Sequence, residues 1–243
     1  MIVHENERLD ELNNLKIIQN PKGFCYGTDA VILANFSKAM RGEVVVDFCT
    51  GTGAVPLLMV QKTKAEKFFG IEILPEVYDM AKRSVELNNL MDKITIINDN
   101  IINAPEIFKG KTVDVVTCNP PYMNQGGGFQ NGDEAIKAAR HEVFCTIEDV
   151  ILSASKILRF GGRLYLIHKC ERLCDIFVYM RKYNLEPKKL QYVIPKINKA
   201  PNLVLIEGMK GAKPYLHTLP PLVIYNEDNT YTKEYLEFIC ERG

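Results

Sequence analysis

Residues 44–55, VVVDFCTGTGAV, decide the fold. Three valines lead into a carboxylate, which reads as a short apolar strand ending at Asp47. Gly51 and Gly53 then permit a tight turn in which the backbone can approach a ligand before a helix starts. Such a unit suits a nucleotide or nucleoside cofactor, although glycine turns after first strands also serve NAD enzymes or simply join elements. The dinucleotide fingerprint G-x-G-x-x-G wants its third glycine where this chain has Pro56. Further acceptors follow at strand ends: Glu72, about twenty residues on, can take both hydroxyls of a ribose, and Asp99, with Asn100 beside it, can take an adenine amino group.

Working outward, short β-branched runs at 43–48, 67–73, 93–99, 112–119 and 162–168 alternate with helical patterns at 54–63, 75–89 and 147–158. Strands alternating with helices predict right-handed crossovers and a doubly wound, mostly parallel α/β sheet. LQYVI (190–194) and LVLIEGMK (203–210) are joined by a connection too short for a crossover helix, so they should pair antiparallel. Upstream, LKIIQNPKGFCYG (15–27) reads as a short strand and turn, and TDAVILANFSKAM (28–40) as a helix starting at Thr28 or Asp29. LPPLVIY and the residues after it (219–239) suggest a short strand, a turn and a closing helix. One domain is expected, with 1–42 as an N-terminal extension, 43–210 as the core and 211–243 as a C-terminal extension.

The chain has 243 residues, 47% of them hydrophobic, enough for a full core. Its seven cysteines are scattered and odd in number, which suits a reducing cytoplasm. Cys170 and Cys174 stand four apart without a second pair or a nearby histidine, so helix packing is expected there and no metal. The opening residues lack the regions of a signal peptide, and no apolar run approaches a membrane span. A soluble, untargeted monomer is the expectation. Net charge is zero, yet Lys156–Lys213 holds thirteen basic residues against four acidic ones. That local excess can hold phosphates, or can be no more than a solvated lysine-rich face.

A second stretch, TCNPPYMNQGGG (117–128), ends a buried strand on two prolines and an aromatic ring. Each proline fixes its own φ and Pro121 holds Pro120 extended, so carbonyl and amide oxygens here are rigidly placed. The following residues, 123–142, lack periodicity and carry three consecutive glycines, which suits a mobile cover.

Asp47, Glu72 and Asp99 at successive strand ends make the chain resemble the class I S-adenosylmethionine-dependent methyltransferases. The resemblance implies a Rossmann-like, seven-stranded sheet of order 3-2-1-4-5-7-6 with the last strand antiparallel. It also implies S-adenosyl-L-methionine as donor and S-adenosyl-L-homocysteine as product, held by Asp47, Cys49, Thr50, Gly51, Gly53, Glu72, Ile73, Asp99, Asn100 and Asn119. One departure is Cys49, which replaces the first glycine of the common D-x-G-x-G-x-G. Asn119-Pro120-Pro121-Tyr122 is similar to the NPPY motif of enzymes that methylate adenine N6, guanine N2 or glutamine amide nitrogen. By that likeness Asn119 and the Pro120 carbonyl accept the N–H groups of the target amine, and Tyr122 stacks on its ring. GFCYGTDAVILA (23–34), NPPY, ARHE (139–142) and the 219–239 segment together resemble the bacterial tRNA(Val) adenine-N6 methyltransferases, which modify the adenosine beside the anticodon. This implies that Tyr26, Gly27 and Thr28 line the donor pocket and that Arg140 and His141 contact substrate or anchor the loop. Lys188, Lys189, Lys196, Lys199, Lys210 and Lys213 would hold the tRNA backbone. Alternatives are a ribosomal RNA or DNA amino methyltransferase, a protein glutamine methyltransferase, and a silent module that binds S-adenosylmethionine or RNA. The glutamine enzymes carry an N-terminal helical domain, whereas here the donor motif begins by residue 44.

Overall fold

The computed structural model describes residues 3–122 and 145–240. The stretch 123–144, with Arg140, His141 and the segment expected to form a mobile cover, lies outside the described residues.

The strands predicted for a parallel sheet form one. In chain order they are β3 (Val44–Phe48), β4 (Lys67–Glu72), β5 (Ile94–Asn98), β6 (Val113–Cys118) and β7 (Leu158–Lys169), preceded by a separate hairpin of β1 (Arg8–Leu12) and β2 (Leu15–Gln19). β8 (Leu185–Lys196) and β9 (Leu203–Lys210) return antiparallel, as their short connection requires. The short strands β10 (His217–Thr218) and β11 (Leu222–Tyr225) both pair parallel with β8, so among the described residues the sheet has nine strands. Its central order is β5-β4-β3-β6-β7-β9-β8, which is the expected 3-2-1-4-5-7-6, and the two short strands extend its edge.

Period-two alternation along β3 sends Val45 into one apolar cluster and Val46 and Phe48 into another, one on each face. The first face is covered by α1 (Thr28–Phe36) and α2 (Ala54–Lys62), and residues of α3 (Pro75–Leu87) reach it through Val85. The second is covered by the short α4 (Ala104–Ile107), by α5 (Ile147–Ile157) and by α6 (Leu173–Lys182). A last helix, α7 (Lys233–Cys240), packs through Tyr235 on the first face. Among the described residues no helix is long and apolar enough to cross a membrane.

α1 stops earlier than the sequence pattern suggests. Ser37 takes an extended ψ, and both its N–H and its hydroxyl donate to the Leu33 carbonyl at 2.9 and 2.7 Å. β1 is not legible in the sequence because RLDEL is mostly exposed and charged, with Leu12 alone in its burial pattern fully buried. The hairpin is nonetheless firmly placed: Ser84 of α3 accepts from Ile18 N–H, and Asn88 bonds both the N–H and the carbonyl of Lys16. Side chains of a helix thus satisfy a strand edge that would otherwise be open.

Register across the sheet fixes where each strand ends. Phe48 shares a row with Cys118, Leu166, Ile206 and Leu190. β6 stops there, whereas β7 continues to Lys169 and β8 to Lys196, about 10 and 20 Å farther at the rise of an extended strand. Those strands stand above the rim formed by the carboxyl ends of β3, β4 and β6.

α5 is started by a capping box in which the Thr146 hydroxyl accepts from Asp149 N–H while the Asp149 carboxylate accepts from Thr146 N–H. Thr146→Ala removes the acceptor, and the expected loss is about 1 kcal/mol of stability, read as a lower urea midpoint with an unchanged denaturant slope.

Candidate donor and amine site

The turn after β3 gathers three left-handed residues within five positions. Cys49, Gly51 and Gly53 all have positive φ, at 56°, 57° and 87°. Cys49 therefore occupies a left-handed conformation where the resembling pattern has glycine, and a residue with a Cβ held there carries strain of order 1–3 kcal/mol. Gly51 is required for a second reason: a Cβ on it would lie 2.6 Å from the Phe24 ring, which packs over the turn. Gly70, across from Asp47 on β4, leaves room for the Thr50 side chain, which a Cβ there would meet at 2.8 Å.

Glu72 braces this turn. Its Oε2 accepts from Gly51 N–H and its Oε1 from Leu74 N–H, both at 3.0 Å, so the end of β4 is tied to the loop that leaves β3. Each carboxylate oxygen keeps a second lone pair, which suits the hydroxyls of a ribose. The group is 2% exposed, and burial raises its pKa against the lowering effect of those two N–H groups. Asp47 is equally buried and accepts from the Thr117 hydroxyl at 2.5 Å. Burial pushes its pKa up to about 7, against that hydrogen bond and with a further push from the Glu72 charge.

Asp47, Cys49, Thr50 and Glu72 line one cavity of about 190 Å³ together with Asn119, Pro120, Pro121 and Tyr122. Tyr26 and Gly27 join them from the loop before α1. That loop is held by Gln19, whose side chain accepts from Tyr26 N–H at 2.8 Å and donates to Asp10. A smaller cavity adjoins the first through Cys49, Glu72 and Pro121 and is lined by Ile73, Asp99 and Asn100. Asp99 follows β5 directly, and its Oδ1 accepts from Asn100 N–H and Asn103 Nδ2. Two segments separated by some seventy residues of sequence thus meet in one trough, because β3 and β6 are neighbours.

At the amine end, the Tyr122 hydroxyl donates to Asn119 Oδ1 at 2.6 Å and lies 3.3 Å from Asp29 Oδ2. The ring meets His168 edge-on at 5.3 Å, and Lys169 Nζ lies 5.7 Å from its centroid. Burial, aided by the charges of Arg172 and Lys169, lowers the His168 pKa to about 4, so the imidazole is neutral at pH 7. Sequence reading missed Asp29, His168 and Phe24 as parts of the site. Asp29 had a signal, an acid in the first turn of a helix; Phe24 and His168 had none. Cys145, on the small cavity with Cys49, is likewise visible only in three dimensions.

Not every expected residue comes to this place. Thr28 faces a separate groove rather than the trough. The six lysines expected to act together do not form one patch. Met209 shares the row of Val45 through Val115 and Arg163, so Lys210 lies one residue nearer the opposite end of the sheet from the rim, and Lys213 follows it. The Lys210 ammonium is also occupied, donating to the carbonyls of Ser155 and Leu158. Lys189 shares the row of Asp47 four strands away and pairs with Glu207 at 2.7 Å, and Lys188 Nζ donates to Lys213 O. Lys196 and Lys199 remain on the rim side, where β8 overhangs, and Lys169 joins them. The antiparallel return of β9 separates residues that the sequence places close together. His4, Glu7 and Asp79 lie near enough to share a cation, but Arg83 already pairs with both carboxylates.

The family model for the methyltransferase small domain matches residues 14–181. Proteins named tRNA1(Val) (adenine(37)-N6)-methyltransferase are similar over most of the chain. That of Mannheimia succiniciproducens is 29% identical over 86% of this chain and 84% of its own, and that of Porphyromonas gingivalis is 27% identical over 86% and 85%. Among solved structures, a predicted O-methyltransferase of Agrobacterium tumefaciens superposes with a TM-score of 0.70 at 21% identity, over 87% of this chain and 95% of that one. A tRNA m1G37 methyltransferase of M. jannaschii gives 0.56 at 20% identity, over 86% and 55%. At these identities the two structures establish the fold.

The buried acids and the imidazole bear on stability in opposite senses. Asp47, with its folded pKa raised to about 7, binds a proton more tightly folded than unfolded, so its contribution is fully present below about pH 4 and is lost as pH rises through 7. His168, lowered to about 4, makes stability rise with pH between about 4 and 6.5. Asp47→Asn is expected to make stability less dependent on pH between 6 and 8, measured as urea midpoints at a series of pH values; a slope equal to that of the unsubstituted protein would contradict the assignment.

Proposed function

The chain belongs to the methyltransferase small domain family, and we propose that within it the protein methylates the exocyclic N6 of an adenine in RNA, most specifically the adenosine beside the anticodon of a tRNA. S-adenosyl-L-methionine is the family's donor, and when bound it supplies an electrophilic methyl on a sulfonium. The residues of the trough fit it as a set of acceptors: Glu72 for ribose hydroxyls, Asp99 for the adenine amino group, with Cys49, Ile73 and Pro121 as apolar walls. The observation that carries the reading is that Asn119-Pro120-Pro121-Tyr122 opens onto the same cavity as Asp47 and Glu72.

An exocyclic amine is a poor nucleophile because its lone pair is delocalised into the ring. Asn119 Oδ1 and the Pro120 carbonyl can each accept one of its N–H groups and favour a pyramidal nitrogen with its lone pair directed out of the ring plane. The amide oxygen already accepts from Tyr122, and its second lone pair serves the amine. Rigid placement by the two prolines means that little reorganisation is needed when the amine arrives, and orientation of this kind is worth ~7–11 kcal/mol when complete. Neutral His168 and the Asn119 bond hold the Tyr122 ring at the mouth, where a planar base can contact it. Methylation acidifies the nitrogen, so its proton can pass to water without a dedicated base.

A base in a loop is splayed out at lower cost than one in a duplex, which supports an RNA loop as target. Lys169, Lys196 and Lys199 on the rim side are the cations placed to meet its backbone, and a tRNA substrate locates the reaction in the cytoplasm. The curated relatives carry the tRNA1(Val) adenine-37 name, which supports the same choice.

Labelled donor offered with separate pools of undermodified tRNA, ribosomal RNA, DNA and release factor is expected to label N6-methyladenosine in tRNA. Label in a protein glutamine, or in no pool, would sink the tRNA reading. Asn119→Ala is expected to lower transfer about a hundred- to a thousandfold, the scale of losing one preorganised hydrogen-bonding group, with donor affinity by calorimetry within a few fold. Loss of donor binding in that variant would overturn the role given to Asn119.

A further inference from the structure

Beside the trough lies a second groove of about 580 Å³ that shares Cys25, Tyr26 and Gly27 with it as a common wall. Glu11 of β1, Val31 of α1, and Tyr231 and Tyr235 of the C-terminal segment also line it. Its size is that of a small-ligand site. Two features point to what it takes.

The first is aromatic and rigid. Tyr231 stacks with Tyr225 (centroids 5.1 Å, planes 21° apart) and with Tyr235 (4.9 Å, 29°), and Tyr235 is buried while Tyr231 is 43% exposed. A tyrosine already locked into a stack loses little side-chain freedom when a planar ligand arrives. The second is the sign of the charge. Arg8 pairs with Asp10 at 2.8 Å, whereas no ion pair or hydrogen bond of the Glu11 carboxylate is found among the described residues. A phosphate would be repelled there, and a donor N–H on an otherwise neutral ring would be accepted.

We propose that this groove is a second RNA subsite, which takes an unpaired nucleobase bearing an exocyclic amino group. That base neighbours, in the same strand, the one that enters the donor trough. The inference rests on the reading of the chain as an RNA adenine methyltransferase. The partition between groove and trough is the single stretch of chain Cys25–Gly27, so bases on its two sides can belong to adjacent nucleotides. Gln19 fixes the partition through Tyr26 N–H, which makes the spacing between the two sites a property of the fold.

The probe is a short anticodon stem-loop RNA, used intact and with each nucleotide flanking the target adenosine made abasic or changed to uridine in turn. With the unsubstituted protein, the abasic change at one flanking position is expected to raise KM about tenfold, the scale of one lost base–aromatic contact, with kcat nearly unchanged and a smaller rise for uridine. Tyr231→Ala, which opens the stack, and Val31→Trp, which fills the groove, are each expected to raise KM for the intact RNA to the same level and to abolish the response to the abasic change. Affinity for S-adenosyl-L-homocysteine, measured by calorimetry, should stay within twofold in both. Either variant keeping the original KM, or keeping full sensitivity to the abasic change, overturns the subsite. If the unsubstituted protein methylates intact RNA yet ignores every flanking change, the subsite alone falls; if it methylates no RNA, the functional reading falls with it.

Discussion

Everything in the trough hangs on one buried carboxylate. Glu72 holds the N–H of Gly51 with one oxygen and the N–H of Leu74 with the other, so the loop leaving β3 and the turn leaving β4 cannot move independently. A buried acid without such donors would be costly, and the two donors would themselves be unsatisfied without the acid. The left-handed residues at 49, 51 and 53 are tolerable because this brace, with Phe24 packed over Gly51, leaves the turn no relaxed alternative. The same two bonds leave each carboxylate oxygen a second lone pair, so the side chain that braces the turn still has acceptor capacity for the ribose of the proposed donor.

The amine end is built on a different economy of parts. The two prolines remove backbone freedom around Asn119, and the Tyr122 hydroxyl, Asp29 and His168 then fix the side chains around it. His168 comes from β7, two strands from β3, and reaches this place because β7 outruns β6. Neutrality of that imidazole matters to the site: a charged ring beside Lys169 and Arg172 would push on both, and burial prevents it from forming near pH 7.

The central sheet was legible in the sequence because parallel strands buried on both faces must be apolar throughout, and the chain alternates such runs with helical patterns. The acids at successive strand ends were legible for the same reason: once strand ends are known, residues there must lie along one rim. β1 was not, since an exposed strand such as Arg8–Leu12 is stabilised by its partner β2 and by α2 rather than by its own composition. Grouping the lysines of the C-terminal third also failed on physical grounds. Neighbours along the chain stay neighbours in space only until it reverses, and the β8–β9 hairpin carries Lys196 and Lys210 to opposite ends of the sheet. Cys49 shows a further limit, because a positive φ at a non-glycine residue has no signature in composition.

The overhang of β7 and β8 has a consequence for encounter. The cleft is walled high on one flank and low on the flank of β4 and β5, so a bulky polymer can seat itself from only part of the surrounding space. Fewer productive orientations mean a lower association rate before any base is read. For a polyanionic substrate of the kind proposed above, Lys196 at the crest of that wall and Lys169 at its foot would partly compensate by drawing it along the parapet toward the opening. The strands therefore act as a fence that selects direction of arrival, a kinetic filter made from nothing more than unequal lengths of β-strand.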